Sequence, residues 1–313
     1  MKKLFGKNGV ITGRRTLIVM VVIGLIFAFL IYAVNQLTLA DMRSDYETKV
    51  SVKSEVRVPL PNPPINLFVR DSYDSDGMRL ASFVSPDPDD NQKHPAIVWI
   101  TGGESNTLDD FWTMRSEDND QTASPYRDAG IIMMFPTLRG GNENSGVIEV
   151  NYGEVDDVIA AAKRLATLPY VDADRIYLGG HSTGGTLALL VSEVVSITHP
   201  ELFKEVISFG ATQQTMFLQE PTIDGDEDYR EMDLRTPANW TNDISIPTWV
   251  IEGKSDSSNY EDLSKLCADS NNLQLHCAFI PKHNHFSVLY PVNKVIAQQI
   301  LNNQPINIDP NAF

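Results

Sequence analysis

Basic residues are in short supply in this sequence: 25 lysines and arginines stand against 41 aspartates and glutamates in 313 residues, a formal net charge of −16. Phosphate backbones repel a surface of that sign, which argues against nucleic acid as a partner. No charged low-complexity tract and no internal repeat is present, so neither a solvated tail nor a repeat array is expected. Cysteine is almost absent. Cys267 and Cys277 are the only two, enough for a single disulfide. With 42% apolar residues, the chain can build one large domain or two small ones.

Long apolar runs are also missing, with one exception. Leu17 to Val34 is 18 residues without a charge, about the length that crosses a ~30 Å hydrocarbon core as a helix. Five basic residues and no acid precede it (Lys2, Lys3, Lys7, Arg14, Arg15), whereas Asp41, Asp45 and Glu47 follow. By the positive-inside rule, the N-terminus is cytoplasmic and the remainder extracytoplasmic. A signal peptide ending at Ala40 is the alternative, but the run is longer than usual for a cleaved segment. The expected layout is a basic leader (1–15), a membrane anchor (16–35) inserting residues 17–34 in the lipid bilayer, and a stalk (36–64) stiffened by its prolines. A globular domain covers 65–313.

Within that domain, short apolar runs bounded by Gly or Pro recur at 96–100, 131–135, 175–179, 206–210, 248–252 and 276–280. Strands buried on both faces read this way. Helical periodicity lies between them, at 153–168 and 186–197, and after the last one at 288–301. The alternation predicts an α/β fold: a doubly wound, mostly parallel sheet with helices on both faces.

One glycine-rich stretch carries chemistry. Gly180-His181-Ser182-Thr183-Gly184 fits G-x-S-x-G and sits between a predicted strand and a predicted helix. That pattern makes a sharp strand-to-helix turn, with the serine exposed at the helix N-terminus and small residues where side chains would collide. A serine hydroxyl needs a base, and the base an orienting acid. After such an elbow, the acid follows a later strand and the histidine comes near the C-terminus. Asp256, just beyond the run 248–252, is the candidate acid, with Glu252 as its competitor. His285 is the candidate base in preference to His283, because the loop must return the imidazole over the sheet before the closing helix. Backbone N–H groups of Thr183, Gly103 and Gly102 are the candidate oxyanion donors, the last two in the loop after the run 96–100.

The stretch from Phe135 to Leu190 resembles the catalytic domain of the prolyl oligopeptidase family, within the α/β-hydrolase fold. Its "RG" loop (Arg139, Gly140), its acidic helix (Asp157) and its "VDADRI" lead into the elbow (Asp174, Arg175) carry the resemblance. The likeness spans roughly 65–305 and implies Ser182, Asp256 and His285 as the catalytic residues. Two departures shape the expectation. The chain has no stretch long enough for the β-propeller of the oligopeptidases, and Thr183 stands where their elbow commonly has tyrosine. A carboxylic ester hydrolase is therefore expected ahead of a peptidase of short peptides. A non-catalytic binding module that kept the fold is the reading from another class.

Residues 211–246 fall where a small cap is inserted in this fold. Met216, Phe217 and Trp240, with His181 beside the nucleophile, are candidate substrate-pocket residues, and the substrate is a small ester or short peptide. A Cys267–Cys277 disulfide would brace the loops that carry the acid and the base. No cofactor and no metal are expected.

Overall fold

Strand β3 (His94–Ile100) shows how an apolar run becomes a layered domain. Ala96, Val98 and Ile100 pack into one cluster, Ile97 and Trp99 into another. The period-2 alternation of a strand divides the same apolar run between two faces, and both are covered. In the computed structural model, residues 18–23, 37–52, 58–212 and 226–313 are described.

Eight strands form one sheet in the order β1-β2-β4-β3-β5-β6-β7-β8. They are β1 (Val69–Ser75), β2 (Met78–Val84), β3, β4 (Ile132–Pro136), β5 (Val171–His181), β6 (Val206–Phe209), β7 (Thr248–Gly253) and β8 (Leu275–Ile280). The pairs β1–β2 and β2–β4 are antiparallel and the others parallel. The chain thus has the α/β-hydrolase fold, and the six runs read as strands are β3 to β8. The β1–β2 hairpin is an addition. Its strands turn at Asp76 and Gly77, both at positive φ, and alternate polar residues on an edge of the sheet.

After α1 (residues 18–23) come α2 (Leu39–Ser44), α3 (Ser124–Asp128), α4 (Gly153–Ala166), α5 (Thr183–Thr198), α6 (Asp226–Asp233), α7 (Tyr260–Asp269) and α8 (Leu289–Leu301). Val155 and Val158 of α4 and Leu187 and Leu190 of α5 cover one face of the sheet. Tyr126 of α3 and Val292 and Ile296 of α8 cover the other. Cys267 of α7 and Cys277 of β8 form a disulfide, with their Cα atoms 6.4 Å apart.

Two expectations for the N-terminal region need correction or restriction. Most of the expected anchor, 16–35, lies outside the described residues. Residues 18–23 are helical and exposed, and among the described residues no helix is long and apolar enough to cross a membrane. The expected stalk, 36–64, is in large part not a spacer. Thr38 caps α2 through a reciprocal capping box with Asp41. Leu39 is wholly buried in the cluster under α4 and α5, and its N–H donates to Asp243 at 2.7 Å. Arg43 pairs with Asp156, and Val52 bridges Ile148. The Tyr46 hydroxyl donates to one carboxylate oxygen of Glu231 and the Thr48 hydroxyl to the other. Val50 is buried too, and Met42 and Tyr46 pack against the core, so a few apolar side chains dock this polar stretch once its hydrogen bonds have partners on the domain.

Candidate active site

The elbow is built from backbone first. Ser182 joins the end of β5 to the start of α5 at φ 56° and ψ −118°, a conformation costly for a residue with a side chain. It is held there by its N–H, which donates to Phe209 O at 2.8 Å, and by its carbonyl, which accepts from Thr186 N at 2.9 Å. Gly184 is required for space: a Cβ there would run into the carbonyls of Ile100 and Thr101 at the end of β3. As first residue of α5, Thr183 has an N–H with no acceptor inside the helix. The positive end of the helix dipole points the same way.

The opposing half of the site is the loop after β3. Gly102 lies so close to the elbow that a Cβ would sit 3.1 Å from both Ser182 Cβ and His181 Nδ1. Gly103 holds φ +78°, and its carbonyl accepts the Thr183 hydroxyl at 2.7 Å. The residue after the serine therefore ties elbow and loop together by its side chain. Behind the loop, Asn106 donates to Arg139 O and to Glu154. Arg139 is itself clamped by Asp157, Asp76 and Glu149. Burial raises the Glu154 carboxyl above its ordinary range. The "RG" turn and the acidic helix thus act as a buttress for the loop.

His285 arrives on the loop between β8 and α8. Its Nδ1 lies 2.9 Å from Glu252 Oε2, and the Glu252 side chain is wholly buried. The other Glu252 oxygen accepts from Gly253 N at 2.6 Å. The acid therefore differs from the expected one. Asp256 is exposed, at φ +50°, and makes no hydrogen bond to His285. The reason is local: the 281–288 loop folds back onto Gly253, where any Cβ would strike the carbonyls of His283 and Asn284. That brings the imidazole down to the last carboxylate of the strand instead of out over the following loop. Gly210 completes the fit. It holds φ +59°, and a Cβ there would lie 2.6 Å from His285 Nδ1 and 3.1 Å from Glu252 Oε2. His283 points elsewhere, with its Nδ1 at 2.9 Å from Ser287 O.

Among the described residues no hydrogen bond joins Ser182 Oγ to His285; such bonds are often long in unliganded sites and tighten with substrate. A cleft of about 560 Å³ opens beside the loop after β3, lined by Thr101, Gly102, Glu104, Leu108 and Phe111 among others. Two expected pocket residues belong elsewhere. His181 is wholly buried behind the base. Trp240 packs against the cluster under α4 and α5 and donates its indole N–H to Asp233 O. Met216 and Phe217 lie outside the described residues. Sequence reasoning missed Gly210, and it ranked Glu252 behind Asp256. The Gly that ends "VISFG" was a signal for the first, and the strand-end carboxylate for the second. Among the described residues no group of three His, Cys, Asp or Glu is arranged to hold a metal.

Dipeptidyl-peptidase 5 of Porphyromonas gingivalis is 25% identical over 244 residues, which are 71% of this chain and 35% of that protein. The chain thus spans about a third of that relative's length. Among solved structures, the acylaminoacyl peptidase of Pyrococcus horikoshii aligns with a TM-score of 0.56 at 15% identity, over 78% of this chain and 43% of that one. An esterase of Pyrobaculum calidifontis aligns with a TM-score of 0.55 at 16% identity, over 77% of this chain and 87% of that one. At those identities the two structures establish the fold alone. The model of the prolyl oligopeptidase family matches residues 117–276, half of the chain. By that match, the chain belongs to the prolyl oligopeptidase family of serine hydrolases.

Proposed function

We propose that this serine hydrolase cleaves carboxylic esters through an acyl-enzyme, with Ser182 as nucleophile, His285 as base and Glu252 as orienting acid. The observation that carries the reading is the His285–Glu252 pair, 2.9 Å apart and set between Gly210 and the elbow. His285 Nε2 takes the Ser182 proton as the hydroxyl attacks the acyl carbon. Nδ1–H donates to Glu252 throughout and the carboxylate stabilises the imidazolium that forms. The N–H groups of Thr183 and Gly103 receive the oxyanion, each worth about 3 kcal/mol in comparable sites. Collapse expels the alcohol, protonated by His285, and water then releases the acid by the same steps in reverse order.

Esters are preferred because an esterase shares the fold over 87% of its own length, whereas the dipeptidyl-peptidase is matched over only 35% of its length. A peptidase of short peptides is the second reading, favoured by the sequence match to a dipeptidyl-peptidase. The domain is further proposed to lie on the extracytoplasmic side of a membrane. The apolar run 17–34 with its basic leader supports a tether, and the disulfide supports an oxidising compartment.

One experiment tests these points together. Intact cells producing the full chain are treated with a membrane-impermeant tagged fluorophosphonate, beside a permeant one and a Ser182→Ala control. Labelling by both probes, lost in the variant, is expected, followed by turnover of p-nitrophenyl esters ahead of aminoacyl amides. Labelling by the permeant probe alone overturns the location, faster amide turnover overturns the ester preference, and no labelling of folded protein overturns the serine mechanism.

A further inference from the structure

The residue before the nucleophile is a histidine with no access to substrate. Its imidazole touches all three parts of the site. Nε2 is 3.1 Å from the carbonyl oxygen of His285, and the ring lies 4.5 Å from the His285 ring and 5.6 Å from Phe286. Nδ1 sits against Gly102, close enough that a Cβ there would be 3.1 Å away. We propose that His181 is a positioning residue, which pins the base loop to the elbow by donating Nε2–H to the His285 carbonyl and fills the seam between that loop and the oxyanion loop. The proposal deepens the reading of His285 as base and rests on it.

Three observations separate this role from plain packing. First, the ring is wholly buried and its Nδ1 has no hydrogen-bond partner. A phenylalanine or leucine would fill the space without stranding a polar atom, so the imidazole is not explained by volume. Second, the tautomer follows from chemistry. A carbonyl oxygen only accepts, so the single proton of the neutral ring is on Nε2 and the lone pair is on Nδ1. Third, burial and the neighbouring His285 lower the His181 pKa to about 3. The ring therefore stays neutral while His285 gains its proton, and the imidazolium forms beside a dipole, not beside a second cation.

The test compares His181→Phe, which keeps a ring and deletes the donor, with His181→Gln, which restores a donor near the Nε2 position. Both are made in the full chain, and thermal unfolding checks that each is folded. In His181→Phe, kcat on a p-nitrophenyl ester is expected to fall at least about tenfold with KM within about twofold. Backbone hydrogen exchange in peptides covering 281–288 is expected to accelerate, and His181→Gln to recover most of both. A phenylalanine variant with parental kcat and exchange overturns the proposal, as does equal loss in both variants, which would reduce His181 to packing. The exchange readout needs no turnover, so it judges His181 even if the parent fails to react with fluorophosphonate and the hydrolase reading falls.

Discussion

Glu252 meets the imidazole from the end of a strand, wholly buried, whereas Asp256 stands four residues on in solvent. A carboxylate in the first position cannot turn away, because its neighbours in β6 and β8 and the returning loop enclose it; one in the second is hydrated and free of the imidazole. Replacing Glu252 by Gln leaves the shape but removes the charge that holds the Nδ1–H tautomer. The expected loss in kcat is on the order of 10² to 10⁴-fold, the range seen when a triad acid is neutralised. Asp256→Asn is expected to stay within about threefold of the parent, as befits an exposed site outside the machinery. Steady-state kinetics on one ester substrate checks both. The reverse pattern would return the role to Asp256.

At the scale of elements, the parallel strands were legible because each had to be apolar on both faces, and α4, α5 and α8 because their spacing followed 3.6 residues. The β1–β2 hairpin was not, since Arg70, Asp71, Asp74 and Arg79 interrupt any apolar period on an edge that water reaches. Ser182 and His285 could be chosen from order along the chain. The acid could not, because the choice between Glu252 and Asp256 depends on where the last loop lands, which is a tertiary fact. The docked segment 37–52 was hidden for a related reason: its composition is that of a linker, and only Leu39 has a large apolar side chain fully buried in the core. That concentration is testable. Leu39→Ala should cost about 2–5 kcal/mol, as for other fully buried leucines, and denaturant unfolding should report it as a lower midpoint with an unchanged slope. A change below about 0.5 kcal/mol would mean that the segment does not dock as described.

At the scale of the whole molecule, the elbow helix α5 runs through the interior, with every residue from Gly184 to Ser196 buried. It carries Glu193 in its interior, and neither carboxylate oxygen has a hydrogen-bond partner. Burial, with the Asp243 charge in second place, raises the Glu193 carboxyl well above its ordinary range. The native state therefore keeps a proton that the unfolded chain releases above about pH 4.3. Above that pH the unfolded state binds fewer protons than the folded one, so this group lowers stability as pH rises, by at most about 1.4 kcal/mol per pH unit, until the native carboxyl itself ionises. A net charge of −16 also weakens the fold at high pH through general repulsion, so the parent's own pH curve cannot isolate Glu193. The difference between parent and Glu193→Gln can, because the amide keeps the shape and has no proton to lose. Near pH 4 the two should unfold at similar denaturant concentrations, and the variant should become progressively the more stable toward pH 8. A constant gap over that range would show that Glu193 does not hold its proton in the folded enzyme.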